Sequence, residues 1–228
     1  MDGILYGVGV GPGDPELMTL KAVRLIKENN IIALPGEKPS ETTAYQIAVA
    51  AVPELADKQL IPVHMPMTQD KEIQRKCHRE SAKVLEILLK EGNNIIFLTL
   101  GDPAIYSTFT YIKQIVEEDG FRTQLISGVP SFCAAAARVN VPLAVGNEQI
   151  HIIPAVHDLI ESLSDSGTYV LMKAGSKMKQ VKEIIKKSGQ NAVMIENCGM
   201  EKERVHSHID DMPDEAGYYS LIIAKETK

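Results

Sequence analysis

Short apolar runs alternate with helix-periodic segments along most of this chain, and that alternation constrains the fold more than any other feature. Strands separated by helices run mostly parallel, since the helical crossover returns the chain to the same end of the sheet. Ile4–Val10 reads as the first strand, followed by the turn Gly11-Pro-Gly-Asp14. Asp14 then caps, and Pro15 opens, a helix whose apolar face is Leu17, Leu20, Ala22, Val23, Leu25 and Ile26. Further strands are expected at Ile31–Leu34, Gln59–Val63, Asn94–Leu100 and Arg122–Ile126. Helices are expected over Thr43–Val52, Lys71–Glu91, Ala104–Glu118 and Ser131–Arg138. Asn94–Leu100 is almost uninterruptedly apolar, the mark of a strand covered on both faces.

The pattern changes at Val139–Glu148, which holds Pro142 and Gly146 without periodicity and reads as a linker. Beyond it come a strand (Gln149–Ile153), a helix near Val156–Leu163, a strand (Tyr169–Met172) and a lysine-rich helix (Lys177–Ser188). Ala192–Glu196, Arg204–Ile209 and Tyr219–Ala224 are three more strands. Only a loop joins the last two, which predicts an antiparallel finish. A length of 228 residues with 44% hydrophobic content suits two cores. The expected architecture is α/β, two α/β domains at residues 1–141 and 142–228 with an active-site cleft between them.

Composition narrows the function classes. A net charge of −6 argues against a dedicated nucleic-acid binder, which usually carries a basic excess. Cys77, Cys133 and Cys198 lie far apart in sequence, so neither a disulfide framework nor a thiolate zinc site is expected. No apolar stretch approaches the ~20 residues of a membrane span, and the N-terminus lacks the cationic start of a signal peptide. A cytoplasmic protein is expected, with no membrane partner.

Three strand-to-helix turns carry the chemistry. Gly7-Val-Gly-Val-Gly-Pro-Gly-Asp14 invites a dinucleotide reading, but the register fails. A GxGxxG begun at Gly7 ends on Pro12, and one begun at Gly9 ends on Asp14. A Walker loop would need a terminal Gly-Lys-Ser/Thr. What stands is a glycine–proline loop at a strand's carboxyl end, where open α/β sheets bind ligands. Thr99-Leu-Gly-Asp-Pro-Ala-Ile-Tyr-Ser-Thr108 repeats the arrangement: Gly101 lets backbone approach a ligand, and Asp102 is held extended by Pro103. An Asp at such a place is ordinarily an N-cap. Ser127-Gly-Val-Pro-Ser131 is the third turn, leading into an alanine-rich helix.

These turns, taken in order with Gly9-x-Gly-Pro-Gly-Asp-Pro-Glu-Leu-Met-Thr-Leu-Lys-Ala-Val23, resemble the motifs of the tetrapyrrole methylases, over essentially the whole chain. The resemblance implies a two-domain α/β homodimer that holds S-adenosylmethionine between its domains and acts on a tetrapyrrole. Within the family, Leu-Gly-Asp-Pro-x-x-Tyr-Ser-Thr is most similar to the precorrin-2 carbon-20 methylases of cobalamin biosynthesis. Uroporphyrinogen methylases favour Gly-Gly-Asp-Pro with Phe-Gly-Arg, and diphthine synthase lacks Tyr-Ser-Thr. Carried over by motif, Leu100, Gly101, Asp102 and Ile105 line the methionine end of the cofactor, with Pro130 and Ser131 flanking it and Pro12 at the cleft. Met172 matches a contact to the adenosine, and Cys198, Tyr219 and Ser220 complete the adenine pocket. Cys198 stands where a glycine is common in the family, so its contact is expected through backbone.

Methyl transfer from a sulfonium needs positioning more than acid–base groups. Asp102 and Tyr106 are the candidates for steering charge or taking the departing proton. Precorrin-2 carries eight carboxylates, and Lys173, next to Met172, is the best-placed cation for one of them. Arg24, Arg75, Arg79 and Arg138 are weaker candidates, and the lysines of 177–187 read as a solvated face. His206-x-His208 would share one strand face, but two histidines without a third ligand do not make a metal site, and none is expected. A carbon-17 or carbon-11 methylase, or a non-enzymatic tetrapyrrole carrier, are the alternatives.

Overall fold

The computed structural model describes residues 1–66, 68, 70–154, 163 and 165–226. They form two compact units, Met1–Pro130 and Ser131–Lys228.

The first unit is built on β1 (Ile4–Gly9), β2 (Ile31–Pro35), β3 (Gln59–Val63), β4 (Ile95–Thr99) and β5 (Arg122–Ile126). Their order is β3-β2-β4-β1-β5, and every pairing is parallel. Helices α1 (Leu20–Glu28), α2 (Thr43–Ala51), α3 (Lys71–Lys90) and α4 (Phe109–Glu118) connect them. The alternation of side chains along β4 explains its apolar run. Ile96 and Leu98 join a core with Ala22 and Ile26 of α1 and Ile47 and Ala48 of α2. Ile95 and Phe97 point the other way, into a core with Leu85 and Leu89 of α3 and Phe109 and Ile112 of α4. Both faces of β4 are buried, so no polar residue is tolerated between Ile95 and Leu98.

Two helices begin later than the periodicity predicts. Asp14 does cap Pro15–Leu17, its carboxylate accepting from the Glu16 N–H at 2.8 Å, but this is a single 3-10 turn. The backbone extends again at Met18, ψ 136°, and α1 restarts under Thr19, whose hydroxyl accepts from Ala22 N–H at 3.2 Å. Local capping groups win over the apolar pattern. Likewise Pro103–Ser107 is turn rather than helix: Tyr106 has φ 48°, incompatible with a right-handed helix, and α4 starts only at Phe109.

The second unit holds α5 (Ser131–Arg138), β6 (Ile150–Pro154), β7 (Thr168–Met172), α6 (Met178–Ser188), β8 (Asn191–Glu196), β9 (Arg204–His206) and β10 (Ser220–Lys225). The unit begins at α5, which packs on β10, so the division falls before this helix and not after it. The helix expected near Val156–Leu163 lies largely outside the described residues. The strand order is β6-β7-β10-β8-β9, with β6 and β7 parallel and all other pairs antiparallel. The last two strands do not pair with each other. β10 inserts between β7 and β8, where its run Leu221–Ala224 is buried, while the short β9 takes the edge. Met178, Val181 and Ile185 of α6 pack under this sheet with Tyr169, Leu171, Met194 and Ile222.

Candidate functional site

In the first unit the chain leaves β1 toward α1 and β2, on one side, and leaves β4 toward α4 and β5, on the other. β1 and β4 are neighbours, so their outgoing loops diverge there, the switch point at which α/β sheets bind ligands. Backbone bonds stitch the loops together. Val10 N–H donates to Thr99 O at 3.0 Å, Gly101 N–H to Gly11 O at 2.8 Å, and Gly11 N–H to Gly101 O at 3.3 Å.

Asp102 joins the third loop to these two. One carboxylate oxygen accepts from Ala104 N–H at 2.7 Å and the other from Gly128 N–H at 3.0 Å. Both oxygens are thus committed to backbone donors, which suits a clamp on the loops better than a proton acceptor. Ser107 braces the same segment. Its hydroxyl lies 2.9 Å from that of Thr99 and accepts from Phe109 N–H at 3.2 Å. Thr19 reaches across to donate to Ser127 O at 3.3 Å.

Glycines make this convergence possible. A Cβ on Gly9 would sit 2.4 Å from Gly101 O and 2.7 Å from Gly128 N, and one on Gly128 would sit 2.2 Å from Gly101 O. Gly101 itself has φ 68°. Gly9 and Gly128 thus make room for the Gly101 carbonyl, while Gly101 itself is required by its left-handed backbone. Gly9, Gly128 and Ser107 stand in the sequence motifs but carry no site role there. The signal for the glycines was present in the three repeated strand-end turns, but which glycine meets which is a matter of topology.

Around this knot Leu100, Ile105, Pro130 and Ser131 are half-buried, Pro12 is buried, and Tyr106 is 53% exposed. The three loops carry Asp14, Glu16 and Asp102 and no lysine or arginine.

In the second unit, strand register gathers the predicted residues at one end of the sheet. Leu221 pairs with Met172 and Ser220 with Glu196. Asn197 N–H donates to Tyr219 O at 2.9 Å, which brings the Asn197–Cys198 turn against the start of β10. The Ser220 hydroxyl is buried and donates to Gly217 O at 2.8 Å, so it shapes the turn. Glu203 holds the other side of the Asn197–Gly199 turn. It accepts from Gly199 N–H at 2.7 Å and pairs with Arg138 at 2.6 Å. Burial pushes its carboxyl up, but the Gly199 bond and the Arg138 guanidinium together hold it below its ordinary value.

Lys173 follows Met172 with φ 59°, and its ammonium sits 5.3 Å over the ring of Tyr218, a residue the sequence reading passed over. Tyr218 in turn meets Tyr219 edge-on at 5.3 Å. Among the described residues four non-glycine residues have positive φ, and three of them, Tyr106, Lys173 and Asn197, lie in these turns. Such backbone costs about 1–3 kcal/mol each and collects at functional sites.

Most other predicted cations are taken. Arg24 pairs with Glu28 at 2.9 Å and Arg79 with Asp119 at 2.6 Å, while Arg138 is held by Glu203. On α6, Lys182 pairs with Asp214 at 3.0 Å and Lys186 with Asp210. Arg75 is exposed on α3. Lys173 has no carboxylate partner among the described residues. His206 and His208 do not share a strand face, because β9 ends at His206. His206 bonds Glu196 at 3.0 Å and Asp211 O at 3.0 Å.

Comparison with known proteins finds relatives that span nearly the whole chain. A protein of Methanocaldococcus jannaschii named "probable cobalt-precorrin-2 C(20)-methyltransferase" is 32% identical over 98% of this chain and 96% of its own. The cobalt-precorrin-2 C(20)-methyltransferase of Salmonella typhimurium is 26% identical over 99% and 98%. Among solved structures, a uroporphyrin-III C-methyltransferase of Thermus thermophilus, complexed with S-adenosylhomocysteine, superposes with a TM-score of 0.71 at 20% identity over 98% of both chains, a likeness of fold. The family model for tetrapyrrole (corrin/porphyrin) methylases matches residues 4–212, and to that family this chain belongs.

Proposed function

We propose that this chain is an S-adenosylmethionine-dependent methyltransferase that methylates carbon 20 of precorrin-2 or of its cobalt-bearing counterpart in cobalamin biosynthesis. The observation that carries the reading is the set of three strand-end loops of the first unit, locked into one surface at the switch point of a parallel sheet. Similarity over nearly the full chain to proteins named for carbon-20 methylation supports it.

The residues suit the cofactor. The loops offer the half-buried apolar side chains Leu100, Ile105 and Pro130, with carboxylates nearby and no cation to repel a sulfonium. Leu100, Gly101, Ile105, Pro130, Ser131 and Pro12 would hold its methionine end, and Met172 with the backbone of Cys198, Tyr219 and Ser220 its adenosine. Bound S-adenosylmethionine supplies an already activated methyl group. The protein's contribution is then geometric: holding the reacting carbon at about 3–3.5 Å is worth roughly 7–11 kcal/mol of barrier. Asp102 contributes by fixing the loops. Tyr106, exposed on the same loop, would steer the proton that must leave the methylated carbon. Lys173 would clamp a peripheral carboxylate. As in the family generally, a cytoplasmic homodimer is the expected form. No helix among the described residues is long and apolar enough to cross a membrane.

The test is NMR of the product formed from precorrin-2, and separately from cobalt-precorrin-2, with an isotope-labelled methyl donor. Label at carbon 20 is expected. Label at carbon 17 or 11 would replace this reading with another corrin methylase. Cofactor binding without turnover of either macrocycle would remove it.

A further inference from the structure

Tyr218 is an exposed aromatic residue that no cofactor assignment uses, and it sits under the one half-buried lysine of the site turns. Three observations bear on its task. Lys173 leaves β7 in the left-handed region, φ 59°, a conformation that turns its side chain out of the strand's alternation. The ammonium comes to rest 5.3 Å above the centroid of the Tyr218 ring, within the ~6 Å at which a ring face attracts a cation. Tyr218 is itself fixed edge-on against Tyr219, whose carbonyl accepts from Asn197 N–H at 2.9 Å.

A lysine on a flexible stem loses considerable rotamer freedom when its head is fixed. A ring face can fix that head while leaving its hydrogen-bond donors unused, whereas a carboxylate would consume them. Lys173 has the ring and no carboxylate partner among the described residues. The other cations considered for this role are mostly neutralised in ion pairs.

We infer that Tyr218 is a positioning residue: its ring pre-sets the Lys173 ammonium as a seat for a carboxylate on a flat, polyanionic macrocycle. The inference rests on the proposed tetrapyrrole reading for the identity of the ligand. The seat is specified by chemistry, a carboxylate at the rim of a conjugated ring, with the exposed tyrosine face beside it for the ring's edge. Tyr218 acts through Lys173 and takes no part in methyl transfer.

The experiment measures binding of uroporphyrin, a stable octacarboxylate macrocycle, by fluorescence quenching to the full chain. It compares wild type with Tyr218→Leu, Tyr218→Phe, Lys173→Met and the Lys173→Met/Tyr218→Leu pair. An exposed cation–π contact predicts about a two- to fivefold loss of affinity in Tyr218→Leu. Tyr218→Phe, which keeps the ring, should stay within about twofold of wild type, since the ring face and not the hydroxyl holds the ammonium. In the Lys173→Met background, Tyr218→Leu should add little, the non-additivity expected of two residues acting as a unit. S-adenosylhomocysteine affinity, titrated in parallel, should stay level in Tyr218→Leu, which a general collapse of the turn would not allow. Equal losses in the Phe and Leu variants, additive losses in the pair, or a wild type that does not bind uroporphyrin would each overturn the inference. Failure of the carbon-20 reading shows separately, in the position of the methyl label, and leaves the binding comparison standing.

Discussion

Replacing Gly128 by alanine tests the contact among the three loops more directly than any change to a side chain. The new Cβ would lie 2.2 Å from Gly101 O and 2.9 Å from the Gly9 backbone, inside the 3.0 Å that such contacts respect. Both obstacles are backbone, and Gly101 is tied by its paired bonds to Gly11, so no flexible side chain can yield. The loop must move by about 0.8 Å or more, the difference between 3.0 and 2.2 Å. Overpacking of this kind costs about 1–3 kcal/mol. Displacing Gly128 also strains its N–H bond to Asp102, a bond to a charged acceptor worth about 1.5–3 kcal/mol. Together they give roughly 2.5–6 kcal/mol, and at about 2–4 °C per kcal/mol for a chain of this size, a Tm lowered by roughly 5–24 °C. Gly120→Ala is the control. Gly120 has φ +90° but open space around the added atom, so it carries only the conformational cost, about 1–2 kcal/mol. Thermal unfolding followed by circular dichroism gives both Tm values, and titration with S-adenosylhomocysteine should show weakened binding for Gly128→Ala alone. A Tm for Gly128→Ala no lower than that of Gly120→Ala would mean the loops are not locked by glycine contact.

Other outcomes follow from the same geometry. Lys173→Met should lower kcat/KM for the macrocycle roughly ten- to a hundredfold, the worth of a partly desolvated charge-assisted pair, with cofactor affinity nearly unchanged; steady-state kinetics would refute this with an unaltered rate. Glu203 has a carboxyl held below its ordinary value of 4.5, so its contribution to stability is complete above that value and fades as pH falls through the lower, folded value. Glu203→Gln should therefore flatten the acid limb of stability and of S-adenosylhomocysteine binding below about pH 4.5, and an acid limb identical to wild type would contradict it. A homodimer is expected by light scattering at micromolar concentration, and a monomer mass would count against it.

The first unit was legible because a parallel sheet writes itself into sequence: β4 had to be apolar on both faces, and each strand end had to turn. Helix starts were less so. Thr19 and Tyr106 decide where α1 and α4 begin, through a side-chain cap and a left-handed backbone that periodicity does not register. The order of the second sheet was hidden because β10 pairs with β7 and β8, both remote in sequence, and nothing local specifies that choice. For the candidate site, motif alone nominated Leu100–Asp102, Met172 and Tyr219. Asp102's occupation by Ala104 and Gly128, and the seating of Lys173 on Tyr218, depend on contacts that only the folded chain creates.

The place of β10 also bears on how the protein is made. The first unit has all five strands in hand once residue 126 has left the ribosome, whereas the second cannot close its sheet until Ser220–Lys225 emerge. In the finished sheet Val170, Leu171, Met194 and Ile195 find their partners on that side only in β10, so the inner edges of β7 and β8 have no partner without it. The strand that completes the second sheet is thus the last in sequence, whereas the first sheet draws all its strands from residues 4–126.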